Sequence, residues 1–146
     1  MAHLFLMGNN AIAYKKNGNR YGMVCAWATQ VDYEKIAMLL GSQSVTGKNL
    51  EVGDVVGVSA LSKGQKDISL QIGSKHSDKV DKFAGVDIIE ENSAILIQNA
   101  KIQMVCKVEK IMHLSDEEDR FIIFKVLSSK VDKSKEFLAL NEVLPE

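Results

Sequence analysis

The chain has two cysteines and three histidines among 146 residues, and their placement excludes more than their number. Cys25 and Cys106 stand alone, without Cys-x-x-Cys spacing, so two reduced thiols are expected rather than a disulfide. His3, His76 and His113 have no partner at i+3 or i+4, and no zinc site is expected. Net charge is nearly absent at −1, which argues against a general binder of nucleic acid or anionic membranes. Long apolar runs are missing too, and none approaches the roughly 20 residues of a membrane span. The opening MAHLFLMGNN has neither the basic start nor the long apolar stretch of a secretory signal, so a cytoplasmic protein is the expectation. There is no repeated unit and no linker, and residues 1–146 read as a single domain.

Hydrophobic residues at 46% and charged residues at 25% are globular in proportion. Residues 11–16 (AIAYKK) alternate, Asn17-Gly18-Asn19 supplies a turn, and residues 20–29 continue as a second strand of a hairpin. Further strands are expected over 35–41, 54–60, 102–113 and 121–127, the last apolar enough to be buried on both faces. Gly57 inside the 54–60 strand suggests a bend or a close backbone approach. A small helix over 46–51 would be capped by Thr46, and residues 64–83 read as two short helices broken at Gly73-Ser74. SDEED (115–119) is an acidic turn, and the tail from Phe137 holds at most one more short strand. No helix of ordinary length follows each strand, which excludes an alternating βαβ order. The expected fold class is therefore mainly β, largely antiparallel and closed into a barrel with short helices.

GSQSVTGKN (41–49) tests one specific function. It resembles a nucleotide-binding P-loop, but Gly41 and Gly47 enclose one residue too many, and Asn49 replaces the hydroxyl that would ligate magnesium. Ser42, Ser44 and Thr46 still alternate after a buried strand, an arrangement that either satisfies its own turns or suits a different anion. VCAWATQ (24–30) sets Trp27 among small residues, so the ring is either core or part of a platform for a flat heterocycle. GSKHSDKVDKF (73–83) is either a solvated helix face or a basic patch beside Ser74 and Ser77 that assists a phosphate. No Ser-His-Asp or Cys-His set emerges from spacing, so an enzyme of this sequence would borrow its chemistry from a cofactor.

These stretches, in this order, resemble the flavin reductase-like family of FMN-binding split barrels. The matching points are MVCAWAT, SQSVT, SKHSDKVDKF and MVCKVEKIMHLSDEEDRFIIFKV, which together span most of residues 11–128. The resemblance implies a homodimer with FMN at or near the subunit interface, and NAD(P)H as the source of a hydride for the flavin N5. By the same analogy Ala26, Trp27, Ala28 and Thr29 would line the flavin ring. Ser42, Ser44 and Thr46 would hold ribityl or phosphate oxygens, with Ser74 and Lys82 as further cofactor contacts. Three stretches depart from the family pattern. Tyr21 and Val24 stand for its Asn and Thr, Glu34-Lys35 for its Pro-Pro, and Asp119-Arg120 with Phe124 for its Asp-His and distal Gly. Arg120 would then meet the cofactor, meet the phosphates of the nicotinamide substrate, or sit in the turn. A flavin-holding electron carrier and a flavin-free binding barrel are the alternative readings.

Overall fold

The computed structural model describes residues 4–41, 44–73, 81–113 and 119–143. Among them are nine strands: β1 (Asn10–Lys16), β2 (Asn19–Cys25), β3 (Ala28–Asp32), β4 (Lys35–Leu40), β5 (Val55–Ala60), β6 (Ile88–Glu91), β7 (Ala94–Ile97), β8 (Ile102–His113) and β9 (Arg120–Val131). Two short helices, α1 (Val45–Lys48) and α2 (Lys66–Gly73), and a 3-10 turn at Leu140–Glu142 complete the order. Every strand pairing is antiparallel, in the order β3-β4-β9-β8-β5-β1-β7-β6, with β2 on the free side of β1. The expected fold class holds.

The first hairpin turns where expected. Asn17 and Gly18 both take positive φ (53° and 80°), the conformation a two-residue turn between twisted strands requires. Register then runs Asn10 opposite Cys25 to Lys16 opposite Asn19. The expected second strand is cut short, because the chain turns at Ala26-Trp27 and begins β3, which pairs with β4 instead. β6 and β7 went unread in the sequence: AILI is a continuous apolar run without period two, and it is buried at all four positions.

Side chains of β1 divide the interior. Ile12 and Tyr14 point into the barrel with Met38, Leu40, Val56, Cys106, Ile122 and Phe124, while Ala11 and Ala13 face a second cluster with Ile72, Phe83, Ile95 and Ile97. Each large apolar side chain so enclosed contributes about 1.5–3 kcal/mol. Ala11 to Tyr14 are therefore buried on both faces, not alternately as expected. In β9 the reverse holds: Ile122 and Phe124 are buried and Leu127 is exposed, so this strand alternates where burial on both faces was expected. β8 shows its period two in burial at Cys106 and Val108, between two register irregularities, one after Val105 and one near Lys110. Gly57 meets the close approach expected of it, since an added Cβ would lie 2.0 Å from the Ile95 carbonyl oxygen.

Of the two helices expected over 64–83, α2 covers the first, and most of the second lies outside the described residues, as does most of the acidic turn. The tail forms isolated bridges, Gly8 with Ala139 and Ser62 with Phe137, rather than a strand.

Candidate functional site

The turn between β2 and β3 is held from below. Ala28 N–H donates to Ala26 O and Leu39 N–H donates to Trp27 O, each at 2.9 Å, so the turn is tied to β4. The Cys25 sulfur lies 3.4 Å from the carbonyl oxygens of both Trp27 and Leu39, at the place where β2 meets β4 without a ladder of its own. Burial pushes this thiol up to about 12, so at neutral pH it is a protonated donor and not a thiolate nucleophile. Cys106, buried in the barrel, is likewise pushed up to about 12 by burial.

With its backbone so tied, the turn presents the indole outward: Trp27 is 61% exposed, which decides against the core reading. Trp27 and Ala26 flank a cleft of about 560 Å³, together with Val24, Gly41, Leu70 and Gly73. Gly41 opens the 41–49 loop and Gly73 ends α2. Three stretches that stood apart in the sequence therefore converge here. The volume suits a cofactor-sized ligand, since such sites enclose about 300–1,000 Å³. Beneath it the Ser69 hydroxyl donates to Asn9 Oδ1 (3.2 Å) and Asn9 Nδ2 to Leu138 O (3.0 Å). None of the described lining side chains is charged.

Ala28 and Thr29 face elsewhere. They line a second, mainly apolar groove of about 470 Å³ with Leu6, Val58, Met104 and Phe137. The four residues expected to act together are divided by the turn between two concavities.

The loop hydroxyls have structural duties. Ser44, and not Thr46 as expected, caps α1: its backbone is extended (φ −78°, ψ 119°) and its Oγ accepts from Gly47 N–H at 3.0 Å. The same hydroxyl lies 2.9 Å from Met23 Sδ. Thr46 follows inside the first turn, is 1% exposed, and offers its carbonyl to the Tyr14 hydroxyl. Ser42 and Ser74 lie outside the described residues.

Arg120 begins β9 opposite Leu40, and its guanidinium reaches neither cleft. Nη1 donates to Gly47 O and Nη2 to Leu50 O (2.8 Å), so it serves α1 directly rather than resting in the turn. Lys82, expected near the cofactor, is buried, and its Nζ donates to Gly22 O at 2.6 Å. Phe83 covers the same glycine, where an added Cβ would stand 2.5 Å from the ring. The Asp-Lys-Phe segment is thus packed on β2, two residues before the cleft wall at Val24.

Sequence reasoning missed Tyr14, Asn9, Ser69 and the supporting role of Cys25. The partners of Tyr14, Asn9 and Ser69 lie far along the chain, 32 residues away for Tyr14 and 60 for Ser69, so no local spacing signalled them, and Cys25 acts through Leu39 of β4 as well as the adjoining turn. Among the described residues there is no cluster able to hold a metal ion, and no helix is long and apolar enough to cross a membrane.

A family model described as a flavin reductase like domain matches residues 10–142. Among solved structures, the NADH:FAD oxidoreductase of Streptomyces globisporus C-1027 superposes with a TM-score of 0.81 at 22% identity, over 91% of this chain and 80% of that one. An FMN-binding protein from Thermus thermophilus, with bound p-hydroxybenzaldehyde, gives 0.79 at 13% identity, over 90% and 75%. Flavoredoxin from Methanosarcina acetivorans gives 0.77 at 14%, over 90% and 72%. No curated protein sequence matches the chain.

Proposed function

The chain belongs to the flavin reductase-like domain family, and from that premise we propose that it binds FMN in the Trp27 cleft and uses NAD(P)H to reduce flavin or another small acceptor. One observation carries the reading: the turn at Ala26-Trp27, the loop opened by Gly41 and the end of α2 at Gly73 share one cleft.

The residues present fit a flavin. Ala26, Gly41 and Gly73 put backbone within reach of a ring edge, and Trp27 offers an exposed aromatic surface at the rim. The phosphate end is proposed on the 41–46 loop, through Ser42 and Ser44, with Ser74 next to Gly73 as a further contact. Bound FMN would supply the hydride and electron chemistry. The chain's residues hold and orient it: Cys25 and Leu39 support the turn, and the apolar wall of Val24 and Leu70 limits water at the cleft. FMN is preferred to FAD on the resemblance of the loop. A flavin of some kind is supported by relatives named for FAD and for FMN. The Streptomyces protein in complex with NAD and FAD fragments supports a nicotinamide partner.

A homodimer is part of the proposal. β3 is an edge strand exposed at all five positions, and Leu6, Tyr33 and Phe137 add exposed apolar surface near it, as an interaction face would. Two free buried thiols are consistent with a reducing, cytoplasmic setting. A second reading, an FMN-holding electron carrier reduced by a protein partner, is favoured by Arg120, whose guanidinium is committed to α1 and not to the cleft.

The test is direct. Protein purified with FMN is expected to retain the visible spectrum of bound flavin and to oxidise NADH or NADPH in the presence of FMN or a ferric chelate. Bound flavin without oxidation of either nucleotide would favour the carrier; failure to bind any flavin would overturn both.

A further inference from the structure

A four-residue helix cannot satisfy its own C-terminal carbonyls, because no following turn brings N–H groups to them. Here side chains from the barrel wall do so. Thr46 O accepts from the Tyr14 hydroxyl on β1, Gly47 O and Leu50 O from the Arg120 guanidinium on β9, and Asn49 O from Lys16 Nζ (2.7 Å). Four carbonyls within five residues are thus held by three side chains, and the one cation that meets two of them is Arg120. A planar guanidinium forms two such bonds with one fixed spacing between them, which sets the distance between the end of α1 and the start of the chain into β5.

We infer that Arg120 is a positioning residue for the flavin: by joining β9 to the Gly47 and Leu50 carbonyls it holds the 44–50 loop in the form that receives the cofactor. The inference rests on the flavin reading above. It assigns to Arg120 an effect on flavin affinity and none on nicotinamide, although the family resemblance set it beside either. Within the loop the Ser44 cap and the Lys48 and Asn49 amides bonded to Ser44 O and Val45 O add local ties, and the Ser44 hydroxyl also reaches Met23 Sδ on β2. Without the guanidinium the Tyr14 and Lys16 ties and the local bonds remain, but nothing fixes Gly47 O against Leu50 O, and the ordering the loop now has in advance has to be supplied on binding.

The experiment compares wild type with Arg120→Gln and Arg120→Lys. FMN dissociation constants are measured by fluorescence titration, nicotinamide binding is titrated on protein saturated with FMN, and amide hydrogen exchange of residues 44–50 is followed without flavin. Arg120→Gln is expected to raise the FMN dissociation constant about ten-fold, as loss of charge-assisted bonds implies. It should speed exchange at Lys48 and Asn49 and leave nicotinamide binding unchanged. Arg120→Lys should restore part of the affinity, since an ammonium meets one carbonyl but not both. Nicotinamide binding that weakens while FMN affinity holds would overturn the inference, as would unchanged exchange. If wild type binds no flavin, the reading beneath fails, and the exchange result still decides the clamp. Should Arg120→Gln not fold, Tyr14→Phe removes the neighbouring tie to Thr46 O and is expected to shift FMN affinity and exchange in the same direction; no shift in either would count against the clamp.

Discussion

Ser44 is where two accounts of the 41–49 loop can be separated. Its hydroxyl caps α1 by accepting from Gly47 N–H at 3.0 Å, and the same residue is proposed at the flavin phosphate. Ser44→Ala removes the cap and is expected to cost about 1 kcal/mol in the flavin-free protein. For a domain of this size that is a fall of about 2–4 °C in melting temperature. Ser44→Asp preserves the cap, because a carboxylate accepts the same bond, so flavin-free stability should stay within about 0.5 kcal/mol of wild type. The added charge acts on the ligand instead. Like charges in contact repel by about 1–4 kcal/mol between bulk water and a protein surface, so FMN affinity should fall about ten-fold or more. Riboflavin has the same ring without the phosphate, and its binding to Ser44→Asp should be unchanged. The assay is a pair of fluorescence titrations, FMN and riboflavin, beside urea denaturation of each variant. Equal FMN affinity in Ser44→Asp and wild type would move the phosphate away from this loop. An unchanged denaturation midpoint in Ser44→Ala would show that the cap contributes nothing.

Three further outcomes follow from the same geometry. Trp27→Ala should leave stability almost unchanged, since the ring is 61% exposed, while weakening flavin binding by about 0.5–1.5 kcal/mol, the worth of an aromatic contact; a large drop in melting temperature would contradict its placement. Gly57→Ala should destabilise by about 1–3 kcal/mol or more, because the new Cβ would meet the Ile95 carbonyl at 2.0 Å and a strand backbone cannot yield; a denaturation midpoint equal to wild type would refute that close approach. Cys25 and Cys106 are both raised by burial from 9.0 to about 12, so unfolding releases their protons at lower pH than the folded protein does. Stability is expected to be independent of these thiols below about pH 9 and to decline as pH rises from there toward 12, read as denaturation midpoints with Cys25→Ser and Cys106→Ser as controls; a flat profile would refute the burial argument.

Much of the barrel was legible because its signals are local. Asn17-Gly18 can take positive φ, and Ile102, Met104, Cys106 and Val108 recur at period two with only Val105 breaking the polar face, so the first hairpin and β8 follow from neighbours in the chain. β7 was not legible, since a strand buried on both faces loses the alternation that marks a strand. The cap of α1 went to Ser44 instead of Thr46 for a related reason. Either hydroxyl suits a helix start, and the choice was made by packing, which draws Thr46 inward against the barrel.

By itself the sequence determined a β-rich chain with no metal-ligand spacing and three stretches able to serve a flat, phosphorylated ligand, because residue types and short spacings carry that information. Only the tertiary structure decided that Trp27 faces out, that Ala26 and Ala28 look into different concavities, and that Gly41 and Gly73 border the same cleft. It also turned Arg120 toward the carbonyls of α1. Each of those outcomes depends on which strands become neighbours, and that is settled by burying the largest apolar area across contacts tens of residues apart.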